Sequence, residues 1–149
     1  MPMQLLTYGS GDSWCPFLKK WLDSPENKRY WIDFQSCIEA TAHGLIKEEE
    51  LIGKRSEAVW MAEQLRKIKY QPRKEIAKCC ITLYTRESFL YKILNKTLRN
   101  LDYSKLNTLG PFCYLLRDYS RTCQEFVGCV YRGAQLDLKM IDMYKAGLK

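Results

Sequence analysis

The chain has 149 residues, 46% of them hydrophobic and 13% aromatic. That is enough to build one real core, and too apolar and aromatic for a disordered chain. Twenty-four Lys and Arg face seventeen Asp and Glu, a formal charge of +7, yet the two signs are interspersed and no block of five like charges occurs. A nucleic-acid tail is therefore not expected, and a mixed solvated surface is.

Within residues 1 to 28, Gly9-Ser10-Gly11-Asp12-Ser13 forms a turn-prone start. Trp14, Phe17, Leu18, Trp21 and Leu22 then recur at three- and four-residue spacings, which predicts a short amphipathic helix. Asp23-Ser24-Pro25 is a stop-and-restart signal. From Trp31 to about Leu45, the positions Ile32, Phe34, Ile38, Ala42 and Leu45 predict a helix or a mixed segment. Lys47 to Tyr70 continues in helix with Leu51, Ala58, Ala62, Leu65 and Ile68 on one face, and Gly53 marks a break. Glu48-Glu49-Glu50 is expected on a solvated side of this region.

Pro72 ends one helix or opens the next, since proline is tolerated in a first turn. Ile76, Ala77, Cys80, Ile81 and Tyr84 again keep helical spacing. Thr85 is expected to cap a new helix, with Glu87 placed well against the macrodipole. Its stripe, Phe89, Leu90, Ile93, Leu94, Thr97, Leu98 and Leu101, is the clearest in the chain. Asp102 is a cap for the helix after it, which Gly110-Pro111 is expected to interrupt before Phe112, Tyr114, Leu115 and Leu116. Phe126-Val127-Gly128-Cys129-Val130-Tyr131 changes character to a short apolar strand. Asp137 then caps a last helix carrying Leu138, Ile141 and Tyr144. No repeat and no clear linker divides the chain.

Seven cysteines is an odd number, and residues 1 to 20 contain Gly9, Gly11, Asp12 and Pro16 where a secretory leader needs an apolar run. Buried free thiols and a cytoplasmic location are the expectation, and no apolar run is long enough to span a membrane. No metal site is expected: there is no Cys-x-x-Cys pair, and His43 is the only histidine. Walker-type and dinucleotide-type glycine loops are absent. Trp14, Trp21, Trp31 and Trp60 are explained by packing more cheaply than by a ligand groove.

One constellation points to chemistry. Val130-Tyr131-Arg132-Gly133 puts a guanidinium and a glycine at a strand end. A planar, permanently charged fork bonds phosphate oxygens bidentately, and glycine lets a ligand approach the backbone closely. Upstream stand Leu83-Tyr84-Thr85, Phe89-Leu90-Tyr91, Leu94-Asn95, Leu98-Arg99 and Leu109-Gly110-Pro111. In that order, over roughly residues 75 to 147, the chain resembles the N-terminal part of the arginine-specific mono-ADP-ribosyltransferases.

The resemblance implies an α+β fold: a mainly helical N-terminal portion, then the first β-strand and a following helix. Residues 1–72 would be an N-terminal extension and helical segment, and residues 73–149 the first half of the catalytic domain. The implied reaction moves ADP-ribose from NAD, or from NADP, to a protein arginine and releases nicotinamide. Arg132 matches the first member of the Arg–Ser–Glu signature and would contact a phosphate and the nicotinamide-side ribose. Gly133 would offer its backbone to the carboxamide, while strand alternation gives Tyr131 a packing role. No Ser-Thr-Ser run and no Glu-x-Glu follows in the 17 residues after Arg132, so no catalytic residue is assigned and the chain alone is expected to be inactive. An alternative of another class is a non-catalytic basic helical module that binds an acidic protein or nucleic acid.

Overall fold

The computed structural model describes residues 15–122 and 135–147, and these are mainly helical. Helix α1 (Pro16–Asp23) carries proline in its first turn and buries Phe17, Leu18, Trp21 and Leu22, as the spacing predicts. Pro25 restarts the chain in a 3₁₀ helix, Pro25–Trp31. Asp33 then caps α2 (Phe34–Leu51), its carboxylate accepting from the Ser36 N–H at 3.0 Å. Gly53, at φ 76, takes the left-handed turn that separates α2 from α3 (Ser56–Lys67). Pro72 stands at the N-cap of α4 (Arg73–Thr85).

Helix α5 (Phe89–Asn100) ends on Leu101 in the left-handed region, at φ 49. Asp102 caps a single 3₁₀ turn, Tyr103–Lys105, which runs into α6 (Leu106–Thr122). Asp137 caps α7 (Leu138–Ala146) through the Met140 N–H at 2.8 Å. No strand occurs among the described residues. The expected strand over residues 126–131 lies outside them, as do Arg132 and Gly133.

Helices α2, α3, α4 and α6 close a ring of contacts, α2 on α3, α3 on α4, α4 on α6 and α6 on α2. Such a ring is a four-helix bundle. Helix α1 lies against α6, and α5 against α4. A single core cluster runs from Phe17 and Trp21 through Ile38, Leu45, Leu65 and Leu83 to Leu109 and Leu115. Residues on both sides of position 72 therefore share one interior.

The central seam is antiparallel. Cys37 of α2 points its thiol at the Pro111 carbonyl of α6 (3.8 Å), Gly44 lies against Thr108, and Glu48 reaches Lys105 and Thr108. Close approach at the middle of this seam needs a residue without a side chain. A Cβ on Gly44 would stand 2.0 Å from the Thr108 carbonyl oxygen. Gly110 does the same for α1: a Cβ there would stand 2.2 Å from Trp21 Cδ1.

Three local expectations are corrected. Gly110-Pro111 does not interrupt α6, which continues through Pro111. Proline there forgoes one intrahelical bond, a cost of about 3 kcal/mol in a helix interior. Leu109, Phe112 and Leu115 are all fully buried around it, and their packing outweighs that cost. Thr85 does not cap α5. It is the last residue of α4, and its hydroxyl turns back to the Ile81 carbonyl (2.8 Å), leaving Ser88 at the N-cap.

The third correction concerns the Glu48-Glu49-Glu50 run. Glu50 is exposed and pairs with Arg55 at 3.3 Å, but Glu48 and Glu49 are 2% and 1% exposed. Glu49 reaches across the α2–α3 turn and accepts from the Ala58 N–H (2.6 Å) and the Glu57 N–H (3.3 Å). It satisfies the open N-terminus of α3, where Arg55 offers no cap.

Candidate functional site

The described part of the segment over which the sequence reading expects a transferase resemblance, residues 75 to 147, includes most of α4 and all of α5, α6 and α7. Its residues help hold α4, α5 and α6 together. Leu83 of α4, Leu90 and Leu94 of α5, and Leu109 of α6 all belong to the buried core, with Leu98 packed against it. Tyr84 donates its hydroxyl to Asn95 Oδ1 at 2.8 Å, tying α4 to α5 through the polar members of the same pattern. The Tyr84 ring also meets Tyr91, with centroids 5.8 Å apart. Leu83, Leu90, Leu94 and Leu109 are thus buried in the shared core, while Tyr84, Tyr91 and Asn95 join α4 to α5 directly.

The start of α5 is held by a neighbour. Phe89 gives its N–H to Glu57 Oε2 of α3 at 3.3 Å. Beside this contact Arg86 lies over the Trp60 ring, 4.5 Å from its centroid. A guanidinium over an indole face is an attractive cation–π arrangement. Ser56, Glu57, Trp60, Met61 and Arg86 line a small groove of about 180 Å³.

A larger open groove, about 450 Å³, lies at the other end of α2 and is lined by Arg29, Tyr30, Gln35, Ser36, Glu39, Ala40 and Lys69. Its one lining carboxylate serves two cations: Glu39 accepts from Arg66 at 3.1 Å and from Lys69 at 3.3 Å. Burial pushes the Glu39 carboxyl up, but these two hydrogen bonds and their charges hold it below the usual carboxylate range. Arg29 gives a guanidinium N–H to the neutral Tyr30 hydroxyl at 2.9 Å and keeps its charge. The groove is a mixed-charge recess with a surplus of positive charge.

Arg132 and Gly133 lie outside the described residues, so they and the grooves above are not brought together here. The Glu48 and Glu50 pair has the spacing of Glu-x-Glu, yet one is buried against Lys105 and the other is paired in solvent. Neither is free to serve a sugar. Of the tryptophans, Trp21 is core, stacked on Tyr30 with centroids 5.6 Å apart, whereas Trp60 is 39% exposed. The buried thiols are inert: burial raises Cys37 to about 12 and pushes Cys80 and Cys113 well up.

Sequence reasoning missed the structural role of Glu48 and Glu49, and a signal for it existed. Glu48 continues the stripe Ile38, Thr41, Leu45, and Glu49 continues Phe34, Ile38, Ala42, Leu45. A charge on an apolar stripe announces a buried, paired group.

No family model matches this chain, and no curated protein or solved structure matches it. No helix among the described residues is long and apolar enough to cross a membrane.

Proposed function

We propose that this chain supplies the helical opening of an arginine-specific mono-ADP-ribosyltransferase catalytic domain, with Arg132 as the residue that grips NAD. The observation that carries the reading is that Leu83, Leu90, Leu94 and Leu109, all singled out by the resemblance, are buried in the core, with Tyr84 of α4 hydrogen-bonded to Asn95 of α5. Helices anchored in this way would give the residues that follow a firm base.

In this reaction the glycosidic bond between the nicotinamide nitrogen and the ribose C1′ breaks. Nicotinamide leaves with the bonding pair, and an acceptor guanidinium nitrogen attacks C1′ and loses a proton. Arg132 would neutralise the pyrophosphate and orient the nicotinamide-side ribose, and Gly133 would hold the carboxamide through its backbone. NADP offers the same pyrophosphate, so the fork serves either dinucleotide. The work is proposed for the cytoplasm, supported by free buried thiols that a reducing compartment preserves.

The carboxylates that stabilise an oxocarbenium-like transition state are not among these 149 residues downstream of Arg132. One such electrostatic group is worth several kcal/mol, roughly 10²–10³ in rate. The purified 149-residue chain, incubated with labelled NAD and an arginine-rich acceptor, is therefore expected to transfer no label above background. Robust turnover would refute the assignment of catalysis to the Ser-Thr-Ser and Glu-x-Glu segments.

A further inference from the structure

We propose that the outer face of α5 is a docking surface for an acidic, helical protein segment. This goes beyond the NAD reading and does not depend on Arg132. Lys92, Lys96 and Arg99 stand exposed at i, i+4 and i+7, one stripe along the solvent side of the helix. Helix α5 is the one α-helix among the described residues with no acidic residue in its span. Every salt bridge found among those residues leaves Lys92, Lys96 and Arg99 out.

Stability does not account for that pattern. Like charges at i and i+4 repel, each such pair costing a helix a few tenths of a kcal/mol, and a glutamate in the row would reverse the sign. Only Arg99, in the last turn, is favoured by the macrodipole. The other α-helices among the described residues all carry acidic groups among their bases.

The chemistry of the surface selects its partner. The stripe places charges about 6 Å and about 4.5 Å apart along the axis, the spacing of carboxylates at i, i+4 and i+7 on a second helix. At its C-terminal end, Leu101 remains 41% exposed and gives an apolar foothold for an amphipathic partner. A single-stranded nucleic acid would need open aromatic faces on which to stack. Those near the stripe are engaged: Tyr103 by Phe17 (6.2 Å between centroids) and Lys20 (4.8 Å), and Tyr91 by Tyr84. Basic charge without free stacking surface fits a protein carboxylate row.

The test is fluorescence anisotropy with the 149-residue chain and a labelled amphipathic peptide. The peptide bears glutamates at i, i+4 and i+7, with a leucine one turn beyond. Saturable, salt-sensitive binding is expected. Lys92→Glu/Lys96→Glu/Arg99→Glu should weaken it by about tenfold or more, since three pairs become repulsions. The milder Lys92→Gln/Lys96→Gln/Arg99→Gln, checked by circular dichroism, should also weaken it while leaving the helix intact. Lys54→Glu/Lys67→Glu/Lys74→Glu makes the same change in net charge on other exposed lysines and should have little effect. Equal losses from both reversals would reduce the effect to net charge and overturn the proposal. So would the absence of peptide binding, or tighter binding of a short oligouridylate that the α5 substitutions abolish.

Discussion

Gly44→Ala is expected to destabilise the chain more than any other single methyl addition. The added Cβ meets the Thr108 carbonyl oxygen at 2.0 Å, the carbonyl carbon at 2.8 Å and the Cα at 2.9 Å. All three are backbone atoms of a buried helix, so no rotamer change relieves the clash. Helix α2 must move off α6 along the whole seam that includes Cys37–Pro111 and Glu48–Lys105. Overpacking of this kind costs about 3 kcal/mol or more. For a chain of this size that lowers the thermal midpoint by roughly 6–12 °C, measurable by calorimetry. A midpoint within 2 °C of wild type would mean that the α2–α6 seam is not packed as described. Gly110→Ala is a milder case, because its nearest neighbour is the Trp21 side chain.

Glu48→Ala follows in size. Glu48 Oε2 takes a 2.6 Å bond from Lys105 Nζ, and Oε1 takes one at 2.5 Å from the Thr108 hydroxyl. Removing the carboxylate leaves an ammonium beside the core with its side chain only 24% exposed. Breaking a buried pair from one side costs about 3–5 kcal/mol when the orphan is fully enclosed. Lys105 has a partial route to water, so a loss of about 2–3 kcal/mol is expected by urea denaturation. Glu48→Leu combined with Lys105→Met should recover most of that loss, because an apolar pair of similar volume no longer strands a charge. If the single substitution costs under about 0.5 kcal/mol, the pair is a solvated surface contact.

The sequence announced its helices through period and punctuation. Most of the stripes over α1, α2 and α5, with Pro25, Gly53, Pro72 and the Asp137 cap, stand where local chemistry demands. Ile32 and Leu51, expected on buried faces, are instead exposed, Ile32 lying before α2 and Leu51 at its last turn. It was less legible where tertiary contacts overrule local rules. Pro111 reads as a break, but neighbours at 109, 112 and 115 bury the helix through it. Thr85 reads as a cap, yet its hydroxyl serves its own helix while α5 is met by a glutamate 32 residues upstream. Glu49 caps a helix from the preceding one, eight and nine residues before the amides it serves, well beyond the reach of an ordinary N-cap. The leucines that α4, α5 and α6 bury, Leu83, Leu90, Leu94 and Leu109, could be read from their spacing. The Arg86–Trp60 stack could not, since it joins α3 to the α4–α5 connection.

The helices matter to function through what they present. Arg132 lies ten residues beyond Thr122, the end of α6. Under the proposed function its guanidinium would bind the pyrophosphate of the dinucleotide. Lysine at the same position keeps the charge but loses the bidentate fork.

Equilibrium titration of NAD into the full gene product, wild type against Arg132→Lys, tests this account most directly. Wild type should bind NAD and the variant should bind about tenfold or more weakly, with an unchanged circular dichroism spectrum. Equal affinity of the two proteins, or no NAD binding by either, would contradict it.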